Sequence, residues 1–163
     1  MTLKTAHSLV ARIAMLTAVA GIPAWAADPI AGTWTLDVQK SSYQPGPAPR
    51  AQTRIYEPLG EDGMRVKVTT AYPDGTSGVA EYVNYADGRD YPVTGESAAD
   101  AVAMVKVDDY TSQATLKHGD KVVGLVIREI SEDGKTMKIT YSGYQTWKGF
   151  EEKVNNVAVY NKQ

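Results

Sequence analysis

From Ala51 to the C-terminus, apolar and polar residues alternate in short runs. Met64, Val66, Val68 and Thr70 fall on one face of a strand, and Arg65, Lys67 and Thr69 on the other. This is the period-two pattern of a strand buried on one side and solvated on the other. Met137, Ile139 and Tyr141 against Thr136, Lys138 and Thr140 repeat it. Between the runs lie Glu61-Asp62-Gly63, Pro73-Asp74-Gly75, Ala86-Asp87-Gly88, His118-Gly119-Asp120 and Glu132-Asp133-Gly134. In each, Gly takes the φ > 0 position and Asp bonds its local backbone, so each is predicted to be a turn. Other segments of strand length and composition are Gly32 to Asp37, Gln52 to Glu57, Gly78 to Tyr85, Ala101 to Asp108, Thr111 to Lys117, Lys121 to Ile130 and Asn156 to Lys162. The pattern predicts about nine strands, with a short additional one at Asp90 to Thr94.

Downstream of the leader, no stretch carries a 3.6-residue apolar period longer than about two turns. Ser97 to Ala103 could open as a helical turn, but Gly95 and the following Met-Val-Lys-Val favour a loop leading into a strand. Pro45, Pro47 and Pro49 predict a rigid extended connection after Tyr43. A meander of this many strands leaves two open edges, and closure removes both. The expected fold is therefore all-β, an antiparallel up-and-down barrel of about eight to ten strands, with a two-sheet sandwich second.

Residues 1–26 read as a signal peptide: Lys4 and Arg12 precede the apolar core Ile13 to Ile22, and Pro23-Ala24-Trp25-Ala26 supplies an A-x-A ending. The apolar run is shorter than the roughly 20 residues a membrane span needs. No Cys follows it, so no lipid anchor through Cys is expected, and a twin-arginine pair is missing. The expected product is a single domain, 27–163, located in the periplasm or secreted, without a membrane anchor and monomeric.

Composition narrows the function. The leader takes two of the 17 basic residues and none of the 19 acidic ones, leaving a net charge of −4 over 137 residues. That balance argues against a nucleic-acid partner or a polybasic membrane patch. The chain holds no cysteine, so burial and sheet hydrogen bonds alone hold it together. His7 leaves with the leader and His118 sits in a predicted turn. One His and no Cys do not make a zinc site or a nucleophile-His arrangement, and no glycine-rich phosphate loop follows a strand. No cofactor, no metal and no catalytic residue is expected.

Asp108-Asp109 and Glu151-Glu152 are adjacent, so within a strand their side chains would point to opposite faces. Asp28, Asp37, Glu57, Glu81, Asp90 and Asp100 could converge in a barrel, with Glu81 and Asp90 near Arg89 the pair to inspect for a raised pKa. The richer signal is aromatic: nine of the ten tyrosines lie at or after Tyr56. Tyr82, Tyr141 and Tyr160, with Val66, Val68 and Arg128, are the candidate ligand-contacting residues, since a phenol offers a flat apolar wall with a polar tip. Any one of these tyrosines could instead be a strand former on the outer face, and the expectation is that at least one of the three lines a cavity. Tyr144, Trp147 and Phe150 fall in a predicted long loop between Ser142 and Asn155. That loop could be a lid, a partner contact or a plug.

Gly32-Thr33-Trp34 resembles the G-x-W opening of lipocalins and the wider calycin group. More of the chain resembles a set of short exported bacterial lipocalin-like proteins. The matching pieces are Gly32 to Asp37 with Lys40-Ser41-Ser42, Pro45 to Pro49, Asp87 to Gly95, Asp133 to Met137 and Asn156 to Tyr160. The resemblance implies a barrel whose cavity takes a small apolar or amphipathic molecule. It also implies that Trp34 closes one barrel end, with a basic side chain from a late strand across its indole; Arg128 is the expected partner, and cation–indole contact is worth ~0.5–2 kcal/mol. The first functional expectation is a carrier. A packed barrel acting as an envelope interaction module is second, and a calycin-like enzyme on an apolar substrate third.

Overall fold

Ten antiparallel strands close into one barrel, in the up-and-down order that the alternation implies. The computed structural model describes residues 28–95, 97–147 and 150–163, and for residues 145–147 and 150 the backbone alone. The leader lies outside the described residues. The strands are β1 (Gly32–Gln44), β2 (Ala51–Leu59), β3 (Gly63–Ala71), β4 (Ser77–Asn84), β5 (Asp87–Gly95), β6 (Ala101–Lys106), β7 (Thr111–His118), β8 (Lys121–Ile130), β9 (Thr136–Trp147) and β10 (Phe150–Lys162). Each pairs with its neighbours in sequence, and β1 closes the ring against β10 with Trp34 opposite Lys162.

The inner face follows the predicted alternation. Val66, Val68 and Thr70 on β3 and Met137 and Ile139 on β9 are buried, while Arg65, Lys67, Thr69 and Lys138 point outward. Trp34, Leu36, Tyr56, Val66, Met137 and Tyr160 belong to one core cluster. Trp34 is fully buried: its indole N–H donates to Ile30 O at 2.8 Å, and the Asp28–Ala31 turn folds over that end of the barrel.

Three expectations change. The span from Ser142 to Asn155 is not a long loop; β9 and β10 run on, paired as far as Trp147 opposite Phe150. Continued cross-strand hydrogen bonding satisfies backbone groups that a loop would leave to water. The cation over Trp34 is Lys162, with Nζ 5.1 Å from the ring centroid and donating to Pro29 O at 3.0 Å. Register explains it, because Lys162 stands directly opposite Trp34 on the inner face, whereas Arg128 lies over the Tyr56 ring at 5.3 Å. In the Glu61-Asp62-Gly63 turn the positive φ belongs to Gly60, while Gly63 opens β3, where a Cβ would strike Leu59 O at 2.3 Å.

β1 also runs further than Asp37. Its register against β10 jumps between Asp37 and Ser42. The Ser41 hydroxyl bridges the gap, accepting from Val159 N at 2.9 Å and donating to Asp37 O at 2.7 Å. β5 is a full strand, yet it meets β4 over three pairs only, Ala80 with Gly95 to Tyr82 with Val93. The next position is Pro92, which has no N–H to donate.

Candidate functional site

β2 and β8 set the character of the interior. Gln52, Arg54 and Tyr56 alternate along β2, and the register puts Arg54 between Trp34 and Val68, both buried, so Arg54 faces inward. On β8, Arg128 stands between Ser112 and Ile139, both buried, and faces inward too. These side chains border a cavity of about 320 Å³ whose walls include Tyr43, Tyr82, Val68, Met104, Val126 and Tyr160. A wider cleft of about 790 Å³ opens at the end nearer Ile30, and Met104, Ser112 and Arg128 border both spaces.

Neutral oxygens surround Arg54. Its single Nε–H is shared between Tyr160 Oη at 3.2 Å and Gln52 Oε1 at 3.3 Å, and Nη1 donates to Tyr56 Oη at 3.4 Å. Tyr160 Oη donates to Gln52 Oε1, and Gln52 Nε2 donates to Thr70 Oγ1 at 2.8 Å. Arg54 also lies over the Tyr160 ring, with Cζ 5.6 Å from its centroid. Arg128 has less: Nη2 reaches the Met104 sulfur at 3.8 Å, and the guanidinium covers Tyr56. Among the described residues no carboxylate borders the cavity. All eight described ion pairs involve other residues, such as Lys67–Glu81, Lys117–Asp90 and Lys138–Glu129.

The phenols record this field. Burial would raise Tyr56, but Arg54 and Arg128 on either side outweigh it and hold the phenol below its ordinary value. Burial, with Tyr56 nearby, pushes Tyr82 up to about 12, and burial raises Tyr160 although Arg54 opposes it. One interior thus holds phenols displaced in opposite directions.

Of the sequence-derived candidates, Tyr82, Tyr160, Val68, Arg128 and Tyr141 border the cavity. Val66 does not; it is fully buried in the core cluster beneath the cavity wall. Tyr141 lies across two glycines: added Cβ atoms at Gly124 and Gly143 would come within 2.4 and 2.6 Å of its ring and hydroxyl. Its single O–H is shared between Val123 O and Tyr144 O, each at 3.2 Å. Tyr144 is an exposed β9 residue, and the Trp147 and Phe150 side chains lie outside the described residues. The acids do not converge: Glu81 pairs with Lys67 and Asp90 with Lys117, while Arg89 turns to Asp87.

Arg54, Tyr56 and Gln52 were missed as site residues, as was Lys162 at the barrel end. A charged residue on a strand defaults to the solvent side when read alone. The available signal was the face it shares, Gln52-x-Arg54-x-Tyr56, against Thr53 and Ile55.

The fold and interior define a closed up-and-down β-barrel with a tyrosine- and arginine-lined cavity. The chain matches no protein-family model, no curated protein and no solved structure.

Proposed function

We propose that this barrel is an exported, lipocalin-like binding protein that holds a small hydrophobic or amphipathic molecule non-covalently in its interior. The observation that carries this reading is the cavity of about 320 Å³, whose walls combine Val, Ala, Leu, Ile and Met side chains with six tyrosines, Arg54, Arg128 and smaller polar groups. That volume is within the range of small-molecule sites, which are mostly apolar with a few oriented polar groups. A fully packed interior, on which the envelope-module reading depends, would leave no such space. The Trp34 floor serves stability in this reading, since Trp34 borders neither the cavity nor the cleft.

A solvatochromic dye titrated into the folded protein should show saturable binding, and small apolar acids, terpenoids or polyketides should displace it. No saturable binding across such a panel would sink the reading. Export is tested separately: the protein recovered from periplasm or medium should begin at Ala27.

A further inference from the structure

We propose that the ligand carries a carboxylate, bound between Arg54 and Arg128, on a compact flat apolar body. This inference rests on the carrier reading and deepens it. A guanidinium taken out of water costs several kcal/mol unless an opposite charge or a full set of acceptors replaces the solvent. Two guanidiniums meet at Tyr56 here: Arg54 donates to its hydroxyl, and Arg128 lies over its ring and also acts on its phenol oxygen. No described acid forms an ion pair with either, and carboxylates line the wider cleft that Arg128 also borders, among them Asp28, Asp87 and Asp108.

The partners present are phenols, an amide and a thioether, all neutral, and they occupy part of each guanidinium. Arginine presents its N–H groups as a planar fork that matches a carboxylate. A carboxylate bordered by both guanidiniums would supply the missing charge and use the remaining donors. The phenols of Tyr56 and Tyr82 then offer further hydroxyls near the head group, and the cavity's tyrosine rings offer faces for the body. The cavity, about 320 Å³, is at the small end of ligand sites. It therefore suits an aryl or short branched acid better than a long chain.

The test displaces a neutral dye, Nile red, with 2-naphthoate and with its methyl ester, which differ in charge and little in shape. At neutral pH and low salt the acid should bind roughly tenfold to a hundredfold more tightly than the ester, the range for a charged hydrogen-bonded group. Arg54→Gln and Arg128→Gln should each erase most of that preference, with circular dichroism and cooperative unfolding reporting an intact barrel. If either variant fails to fold, the acid–ester comparison in the unaltered protein decides alone.

Equal binding of acid and ester overturns the anion site and leaves the carrier reading standing. Binding of neither, nor of the dye, removes the carrier reading as well. A tyrosinate absorption at neutral pH that Tyr56→Phe abolishes, with no preference for the acid, would make Tyr56 the built-in counter-ion and overturn the proposal.

Discussion

Trp34→Ala removes a wholly buried ring, leaves Ile30 O without its donor and uncovers the Lys162 ammonium. Its cost should be ~3–5 kcal/mol, read from denaturant unfolding; a variant that unfolds like the parent would remove the floor. Lys162→Met should cost about 1 kcal/mol through the lost cation–indole contact and hydrogen bond. Arg128→Met should behave differently. A half-buried cation without an ion-pair partner is a liability to the empty barrel, so the variant should match the parent or gain up to ~1 kcal/mol. A loss of several kcal/mol would mean that Arg128 is structural. Tyr82 supplies a pH signature. Its folded pKa, pushed to about 12, lies above the unfolded value near 10.0, so its contribution is full below pH 10 and is lost as pH rises to 12. Tyr56 is shifted downward, so its contribution grows as pH rises through its folded value toward 10 and is constant above that. Unfolding midpoints should therefore fall from about pH 10 to 12, and less steeply in Tyr82→Phe.

Among the elements, β8 and β9 meet through two glycines that clear space for one ring. Gly143→Ala should cost more than Gly124→Ala, because the nearest atom at Gly143 is the backbone oxygen of Val123 at 2.3 Å. At Gly124 it is a ring carbon of Tyr141 at 2.4 Å. Both should fall in or above the ~1–3 kcal/mol of overpacking, measured by chemical denaturation; equal, negligible costs would refute the packing. The β4–β5 seam is the weak ladder. Pro92 stops it after Tyr82 and Val93, and Asn84 beyond that point keeps a buried amide nitrogen without a partner. Backbone amides of residues 83–85 should exchange with solvent faster than those of residues 66–69 on β3, which are paired on both sides. Uniform protection would contradict this.

For the whole molecule, closure joins the two ends of the described chain, β1 to β10. Deleting residues 156–163 strips β1 of its partner and leaves open edges on β1 and β9. The truncated chain should lose cooperative unfolding and self-associate, as judged by light scattering; a soluble, cooperatively unfolding truncation would show that closure is dispensable.

How far the chain could be read without its fold depends on where each fact resides. Period-two alternation on β3 and β9 reports a side-chain direction that is local, so Val66, Val68, Met137 and Ile139 were correctly placed inside. Turn chemistry at Gly75, Gly88, Gly119 and Gly134 is local as well, and all four have positive φ. The reach of β9 and β10 was not legible, because a hairpin arm rich in Glu, Lys, Asn and Gly is held by pairing across the sheet and not by its own composition. Sequence by itself determined the strands, most of the turns and the need to close the sheet, since backbone periodicity and edge satisfaction act along the chain. Only the tertiary structure decided which cation covers Trp34 and that Arg54 and Arg128 converge on Tyr56. Both depend on registers between strands as far apart as Trp34 and Lys162, and no local rule encodes those.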